Sequence, residues 1–315
     1  MFLHPGRRPL LFALPLLFIL AFSACPARAD ALRLALLPVP DVFPAYVAEE
    51  KGFFKAEGVE VKLMPVGSAA ERDQLMQAGQ IDGMMNDLIS VAGLNRDKIR
   101  VQVVSNARQP LAGSPMFRLL VGKDSAIKSV ADLAGTPIAI SRNTMNEYVT
   151  AKMLAALPRE AIRYQSVPVL PERLQLLLSG QIKAAVIPDP LAFAAVLSGA
   201  RELVNDTSIV DFSASVLTFS TAALAEKTKD VHAFMRAWDK ACAAINAKPE
   251  SFRPLFLQKI RVPKNIAKTY PIPQMPRQAV PSQKQWDEAM AWMKEVKIIE
   301  NPPTYQDSVT NVFLP

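Results

Sequence analysis

Glu71-Arg72-Asp73-Gln74-Leu75-Met76-Gln77-Ala78-Gly79-Gln80-Ile81 returns 101 residues later as Glu172-Arg173-Leu174-Gln175-Leu176-Leu177-Leu178-Ser179-Gly180-Gln181-Ile182, with seven of eleven positions identical. Each copy reads as the end of a helix, a Gly able to take the left-handed conformation just past it, and an apolar strand. The first strand runs into Met84-Met85-Asn86-Asp87 and the second into Ala185-Val186-Ile187-Pro188-Asp189-Pro190, so each ends in a polar loop with a carboxylate. A duplicated helix–Gly–strand unit predicts two similar α/β lobes that hold something between their strand-end loops.

The alternation extends outward from both copies. Strand patterns at 32–37, 59–63, 81–85 and 101–105 are separated by helical patterns at 44–54, 68–77 and 88–94. The same order follows at 128–133, 137–141, 147–157 and 184–187. This rhythm predicts two doubly wound, largely parallel α/β lobes with helices covering both faces. Apolar strands at 116–121 and 216–220 flank the second lobe, where the chain is expected to cross out and back as a two-strand hinge. The expected lobes are therefore 30–117 with 219–315, and 118–218. Beyond Ala225 the pattern is helical at 231–247, 251–257 and 284–296, and Trp286, Met290, Trp292 and Met293 fall on one apolar helix face. The Pro-rich stretch 270–281 reads as an irregular connection over the first lobe.

Arg7 and Arg8 precede an apolar run from Leu10 to Phe22, and Ala27-Arg28-Ala29 supplies small residues where a signal peptidase cuts. That run is short for a membrane span, which needs ~20 residues. Residues 1–29 are expected to be a signal peptide and the rest a periplasmic protein. Phe22-Ser23-Ala24-Cys25 offers a competing lipobox, with anchoring through Cys25. Cleavage removes three arginines and no acidic residue, so the formal net charge of +7 falls and the remainder is mildly basic. No basic run is interleaved with aromatics, and no nucleic-acid partner is expected.

After cleavage the chain keeps one cysteine, Cys242, and one histidine, His232. Cys242 lies in a helical apolar pattern and reads as a buried core thiol. A single His without paired ligands or nucleophile makes neither a zinc site nor a triad. No catalytic residue, metal site or cofactor is expected.

Several segments resemble the solute-binding proteins of the NMT1/THI5-like and alkanesulfonate/taurine-binding group. They are Ala45-Tyr46-Val47-Ala48-Glu49-Glu50-Lys51-Gly52-Phe53-Phe54 with Glu57-Gly58-Val59-Glu60-Val61, then Asp132-Leu133-Ala134-Gly135-Thr136-Pro137-Ile138-Ala139-Ile140, then Gly180-Gln181-Ile182 through Asp189-Pro190. The helical pattern around Trp286 and Trp292 resembles the group's C-terminal segment. The resemblance implies a type II periplasmic binding protein that closes on a small solute and delivers it to the membrane subunits of an ABC importer. Such a receptor is expected to act as a monomer. The yeast pyrimidine-synthesis enzymes sharing the family name carry a Cys-rich metal motif and a reactive His that this chain lacks. A ligand-sensing domain feeding a membrane sensor stays open as an alternative.

In that fold, ligands sit outside the carboxyl ends of strands, beside helix N-termini. Five loops are then expected at the site. The first offers Asp41 and Phe43, the second Ser68, and the third Asn86 and Asp87. The fourth offers Ser141, Thr144, Asn146, Glu147 and Tyr148, and the fifth Asp189. Asp41, Ser68 and Asp87 read equally as helix caps. Asp41, Asp87, Glu147 and Asp189 make the expected cleft rich in carboxylates and poor in basic residues. That tilts the solute toward a pyrimidine, a thiamine precursor or another amine, with sulfonates, taurine and other small organic acids still open.

Overall fold

The two copies of the repeat occupy the same place in two separate sheets. The computed structural model describes residues 1–2, 31–208 and 212–315, so the expected signal cleavage and lipobox lie outside the described residues. The strands are β1 (Leu32–Leu36), β2 (Val61–Pro65), β3 (Gly83–Asp87), β4 (Val101–Arg108), β5 (Phe117–Val121), β6 (Pro137–Ile140), β7 (Arg163–Ser166), β8 (Ala184–Pro188), β9 (Arg201–Asn205) and β10 (Ser215–Ser220). Among the described residues they form two five-stranded sheets, ordered β2-β1-β3-β10-β4 and β7-β6-β8-β5-β9. In each sheet four strands run in one direction, and the fourth position holds the one antiparallel strand. The central repeat strands keep equivalent registers: Gly83 of β3 pairs with Leu34, and Ala184 of β8 pairs with Ile138.

The helices are α1 (Phe43–Glu50), α2 (Phe53–Ala56), α3 (Ala69–Gln77), α4 (Leu88–Leu94), α5 (Met145–Met153), α6 (Leu170–Leu178), α7 (Leu191–Leu197), α8 (Thr221–Glu226), α9 (Thr228–Ala247), α10 (Arg253–Lys259), α11 (Gln283–Glu295) and α12 (Tyr305–Ser308). The repeat helices α3 and α6 both stop at the predicted Gly. Gly79 has φ of 66° and Gly180 of 76°, a backbone region in which a side chain would be strained. Among the described residues, no helix is long and apolar enough to cross a membrane.

The chain leaves the first sheet after β4 to enter the second at β5, and leaves the second after β9 to return to the first at β10. Ser215–Thr218, which the expected boundary at 218 leaves with the second lobe, pairs with β3 and β4 in the first sheet. Alternating apolar residues mark such a segment as a strand; they do not say which sheet it joins.

Among the described residues, three apolar layers hold the two sheets and their helices. One packs α1 and α9 on the first sheet, with Phe43, Phe219, Phe234, Trp238 and Cys242 inside it. A smaller one joins the second sheet to α6 and α7. The third runs from the first sheet through α4 and α11 to α5 and the second sheet, burying Trp286, Met290, Tyr148 and Trp292 together. Ala31–Pro315 is accordingly one compact unit. Helix α11 starts at a capping box, in which Ser282 Oγ accepts from Gln285 N–H and the Gln285 side chain accepts from Ser282 N–H. The edge strand β4 is covered by the C-terminal segment through a parallel bridge between Val103 and Val309.

Gly83, at the start of β3, has no room for a side chain. A Cβ there would lie 2.7 Å from Phe219 Cε1 and 3.1 Å from the Thr218 carbonyl oxygen. Phe219 is itself fully buried against Phe234, with ring centroids 5.5 Å apart. Gly83→Ala is therefore expected to cost about 1–3 kcal/mol by overpacking. Chemical denaturation would check this; an unchanged midpoint would show that Phe219 has space to retreat.

Candidate functional site

A cavity of about 570 Å³ opens between the carboxyl ends of the parallel strands of both sheets. The first-sheet side contributes Leu37 after β1, Asn86 and Asp87 from β3, Arg108 from β4, and Arg72 from α3. The second-sheet side contributes Phe117, Met145, Leu170, Pro171, Pro188, Asp189, Pro190 and Leu191. Its lining is thus largely apolar, with polar groups concentrated on the first-sheet wall. A larger cavity of about 890 Å³ lies between α5 and α11. Its charged side chains pair off internally, Lys152 with Glu288 at 3.0 Å, Arg142 with Glu147 at 3.1 Å and Arg159 with Glu295.

Four of the residues expected at the site line the first cavity: Asp41, Asn86, Asp87 and Asp189. Three of these are carboxylates, and each already has partners. Asp41 is buried in a 3-10 turn, where it accepts from Ser215 Oγ at 2.5 Å and lies 3.9 Å from the Arg108 guanidinium. It does not cap α1, whose N-cap is Val42. Asp87 caps α4, accepting from the Ser90 N–H at 2.9 Å and the Ser90 hydroxyl at 3.1 Å. Asp189 receives both arms of Arg118, Nε at 2.8 Å and Nη2 at 2.9 Å, while Arg118 Nη1 donates to Glu202 at 2.7 Å. Burial works against the charged Arg118, but the bonds to Asp189 and Glu202 outweigh it and hold its pKa above the ordinary value.

The other expected residues lie elsewhere. Phe43 is fully buried and meets Phe256 edge-on at 4.9 Å in the first core, so it cannot stack on a ligand. Ser68 caps α3 by accepting from Glu71 N–H at 3.2 Å, while its neighbours Gly67 and Ala69 line the cavity. The fourth loop turns inward around Arg173. Ser141 Oγ and Asn146 Oδ1 accept from that guanidinium at 2.5 Å and 3.0 Å, and Thr144 caps α5. Glu147 accepts from Asn143 N–H and faces the larger cavity. Tyr148 is fully buried beside Trp292, where loss of solvent pushes its hydroxyl pKa upward, with the charge of Glu288 adding to the effect. Of 141–148, Met145 is the residue that reaches the first cavity.

Sequence reasoning missed the arginines. Arg72, Arg108 and Arg261 line the cavity, against the expectation of a cleft poor in basic residues. Arg118 stands just behind Asp189. Two signals were present: an arginine retained in both repeats, and a charged residue inside the apolar strand 116–121.

Three residues lining the cavity carry buried donors that make no hydrogen bond. Asn86, 1% exposed, accepts from Thr218 Oγ1 at 3.2 Å through Oδ1, but its Nδ2 makes no hydrogen bond. Arg72 Nη2 and Arg108 Nε are likewise buried without a hydrogen bond. Buried donors left in this state each cost about 1–3 kcal/mol, more when charged. The wall therefore complements a group rich in oxygen acceptors.

Comparison with known proteins places the chain in a family and shows its fold. Residues 39–252 match the model of the family described as NMT1/THI5 like, more than half of the chain, and the chain belongs to that family. No curated protein matches the sequence. Among solved structures, the periplasmic aliphatic sulphonate binding protein SsuA from Escherichia coli is similar at 16% identity, with a TM-score of 0.75, over 89% of this chain and 92% of that one. The alkanesulfonate-binding protein SsuA from Xanthomonas axonopodis pv. citri, bound to MOPS, is similar at 18% identity, with a TM-score of 0.71, over 89% and 98%. The desulfurization enzyme DSZB also has this fold, at 16% identity, with a TM-score of 0.67, over 90% and 97%. The fold is that of the periplasmic binding proteins.

Proposed function

We propose that this chain is an exported receptor for a small organic anion, a sulfonate or carboxylate with an apolar body, which it delivers to an ABC importer. The observation that carries this reading is the mismatch inside the cavity. Its carboxylates are committed to Ser215, Ser90 and Arg118, whereas Asn86 Nδ2, Arg72 Nη2 and Arg108 Nε are donors without a hydrogen bond. An amine would find few free acceptors here; an oxyanion would meet Asn86 Nδ2 and Arg108 Nε, with Arg72 Nη2 shared with Asp73 at 2.8 Å. The sulfonate-binding SsuA proteins of the same fold support the same class of solute.

The two crossings, from β4 to β5 and from β9 to β10, would let the two sheets close on the solute before docking to the importer. Binding without catalysis fits the one cysteine of the described residues, Cys242. It is fully buried in α9, where burial pushes its thiol pKa upward and away from the nucleophilic thiolate.

A thermal-shift screen tests the reading. At a hundredfold excess over Kd, a ligand contributes about 2.7 kcal/mol, a rise of roughly 5–10 °C in Tm for a protein of this size. Sulfonates or carboxylates are expected to give that rise and matched primary amines none. Amines raising Tm while organic anions do not would overturn the reading.

A further inference from the structure

The internal repeat supplies its own control on one residue. Arg72 and Arg173 are the same position of the two copies, and each sends Nη1 to the equivalent strand carbonyl, Met85 O at 3.0 Å and Val186 O at 2.6 Å. In the second lobe the rest of the guanidinium is consumed. Arg173 Nε donates to Val167 O at 2.7 Å, Nη1 also donates to Asn146 Oδ1 at 3.0 Å, and Nη2 donates to Ser141 Oγ at 2.5 Å.

In the first lobe the side-chain partners are missing. Matching Leu34 to Ile138 by their register against the repeat strands places Leu37 where the second lobe has Ser141. Matching the starts of α1 and α5 places Pro44 where the second lobe has Asn146. Neither Leu37 nor Pro44 has a side-chain acceptor. Asp73, standing where the second repeat has Leu174, accepts Arg72 Nε at 2.8 Å. Nη2 stays within 2.8 Å of that same oxygen but makes no hydrogen bond. Arg72 is nevertheless only 2% exposed and lines the cavity, as Arg173 does not. Asp73 meets the Arg72 charge, but the guanidinium's hydrogen-bonding capacity is only partly used, which the pattern of the other lobe would have avoided.

We propose that Arg72, together with Asn86 and Arg108, is the anion-reading patch of the receptor, and that the solute lies head toward the first sheet with its apolar body against Phe117, Leu170, Pro188 and Leu191. This rests on the receptor reading above and adds the residue that selects the charge and the direction in which the solute lies. The second-lobe wall reads shape through apolar contact, and the first-lobe wall reads the oxyanion.

The test is calorimetric titration of the full receptor with hexanesulfonate, hexanoate, benzenesulfonate and benzoate, then with hexanamide and benzamide as neutral counterparts. Arg72→Gln is expected to weaken the bound anions by about 10–100-fold while changing amide affinity by about threefold at most. Asn86→Asp, which puts a carboxylate in place of a free donor, is expected to do the same at an independent position and keeps the test decisive if Arg72→Gln does not fold. Wild-type protein that binds none of the four anions would overturn the receptor reading itself. Wild-type protein that binds them, with folded variants binding as tightly, would overturn the assignment of the patch alone. Equal losses for anions and amides would also overturn it, because they would assign these residues to shape instead of charge.

Discussion

Replacing Arg118 with methionine is expected to destabilise the protein by about 3–5 kcal/mol, enough to remove much of the stability of an ordinary domain. The guanidinium holds Asp189 with two bonds of 2.8 and 2.9 Å and Glu202 with one of 2.7 Å. The Asp189 side chain is 3% exposed and that of Glu202 26%, so methionine would strand one carboxylate fully and a second partly. The Arg118 guanidinium also lies 5.7 Å from the Phe193 ring centroid, a cation–π contact that methionine would lose as well. Because Asp189 forms part of the cavity wall, solute affinity should fall with stability. Urea denaturation and titration of the remaining folded protein would measure both. A variant with the wild-type midpoint would mean that water replaces the arginine without penalty.

The second large effect is expected at Arg173. Arg173→Met would leave the Val167 and Val186 carbonyls, Asn146 and Ser141 without a shared donor, in a site where the arginine is fully buried. A loss of about 3–5 kcal/mol is expected from removing a buried hub of charge-assisted hydrogen bonds. Burial already lowers the Arg173 pKa to about 10, a sign of how little solvent supports its charge. The contrast with its repeat partner is the informative part: Arg173 substitutions should act mainly on Tm, and Arg72 substitutions mainly on anion affinity. Equal effects on Tm at the two positions would contradict the division of roles between them.

The fold was legible because it depends on periodicity and on glycines. The duplicated segment places β3 and β8 at matching positions of two sheets, and its glycines take the left-handed conformation that ends α3 and α6. The helix face of Trp286, Met290, Trp292 and Met293 is buried as its spacing requires. The site was less legible because a carboxylate in a strand-end loop reads the same whether it meets a ligand or a helix. Asp87 spends its oxygens on Ser90 and Asp189 on Arg118, a partner 71 residues away in sequence. Loop 141–148 is dense in polar groups because it wraps Arg173, and density alone does not distinguish an inward network from an open one. Phe43 was placed by its loop, yet the first turn of α1 points it into the core against Phe256. The arginines were hidden by their surroundings. Arg72 sits on a helix that looks solvated in sequence, and its burial arises only when β3 packs behind it.

The most direct measurement of the central claim is calorimetric titration of the purified receptor with hexanesulfonate and, separately, hexylamine, two solutes with the same apolar body and opposite charge. Saturable one-to-one binding of the sulfonate, with the amine at least about a hundredfold weaker, is the predicted result, a difference of roughly 2.7 kcal/mol. Tighter binding of hexylamine would contradict it, because the cavity's carboxylates would then have to be free to meet a cation.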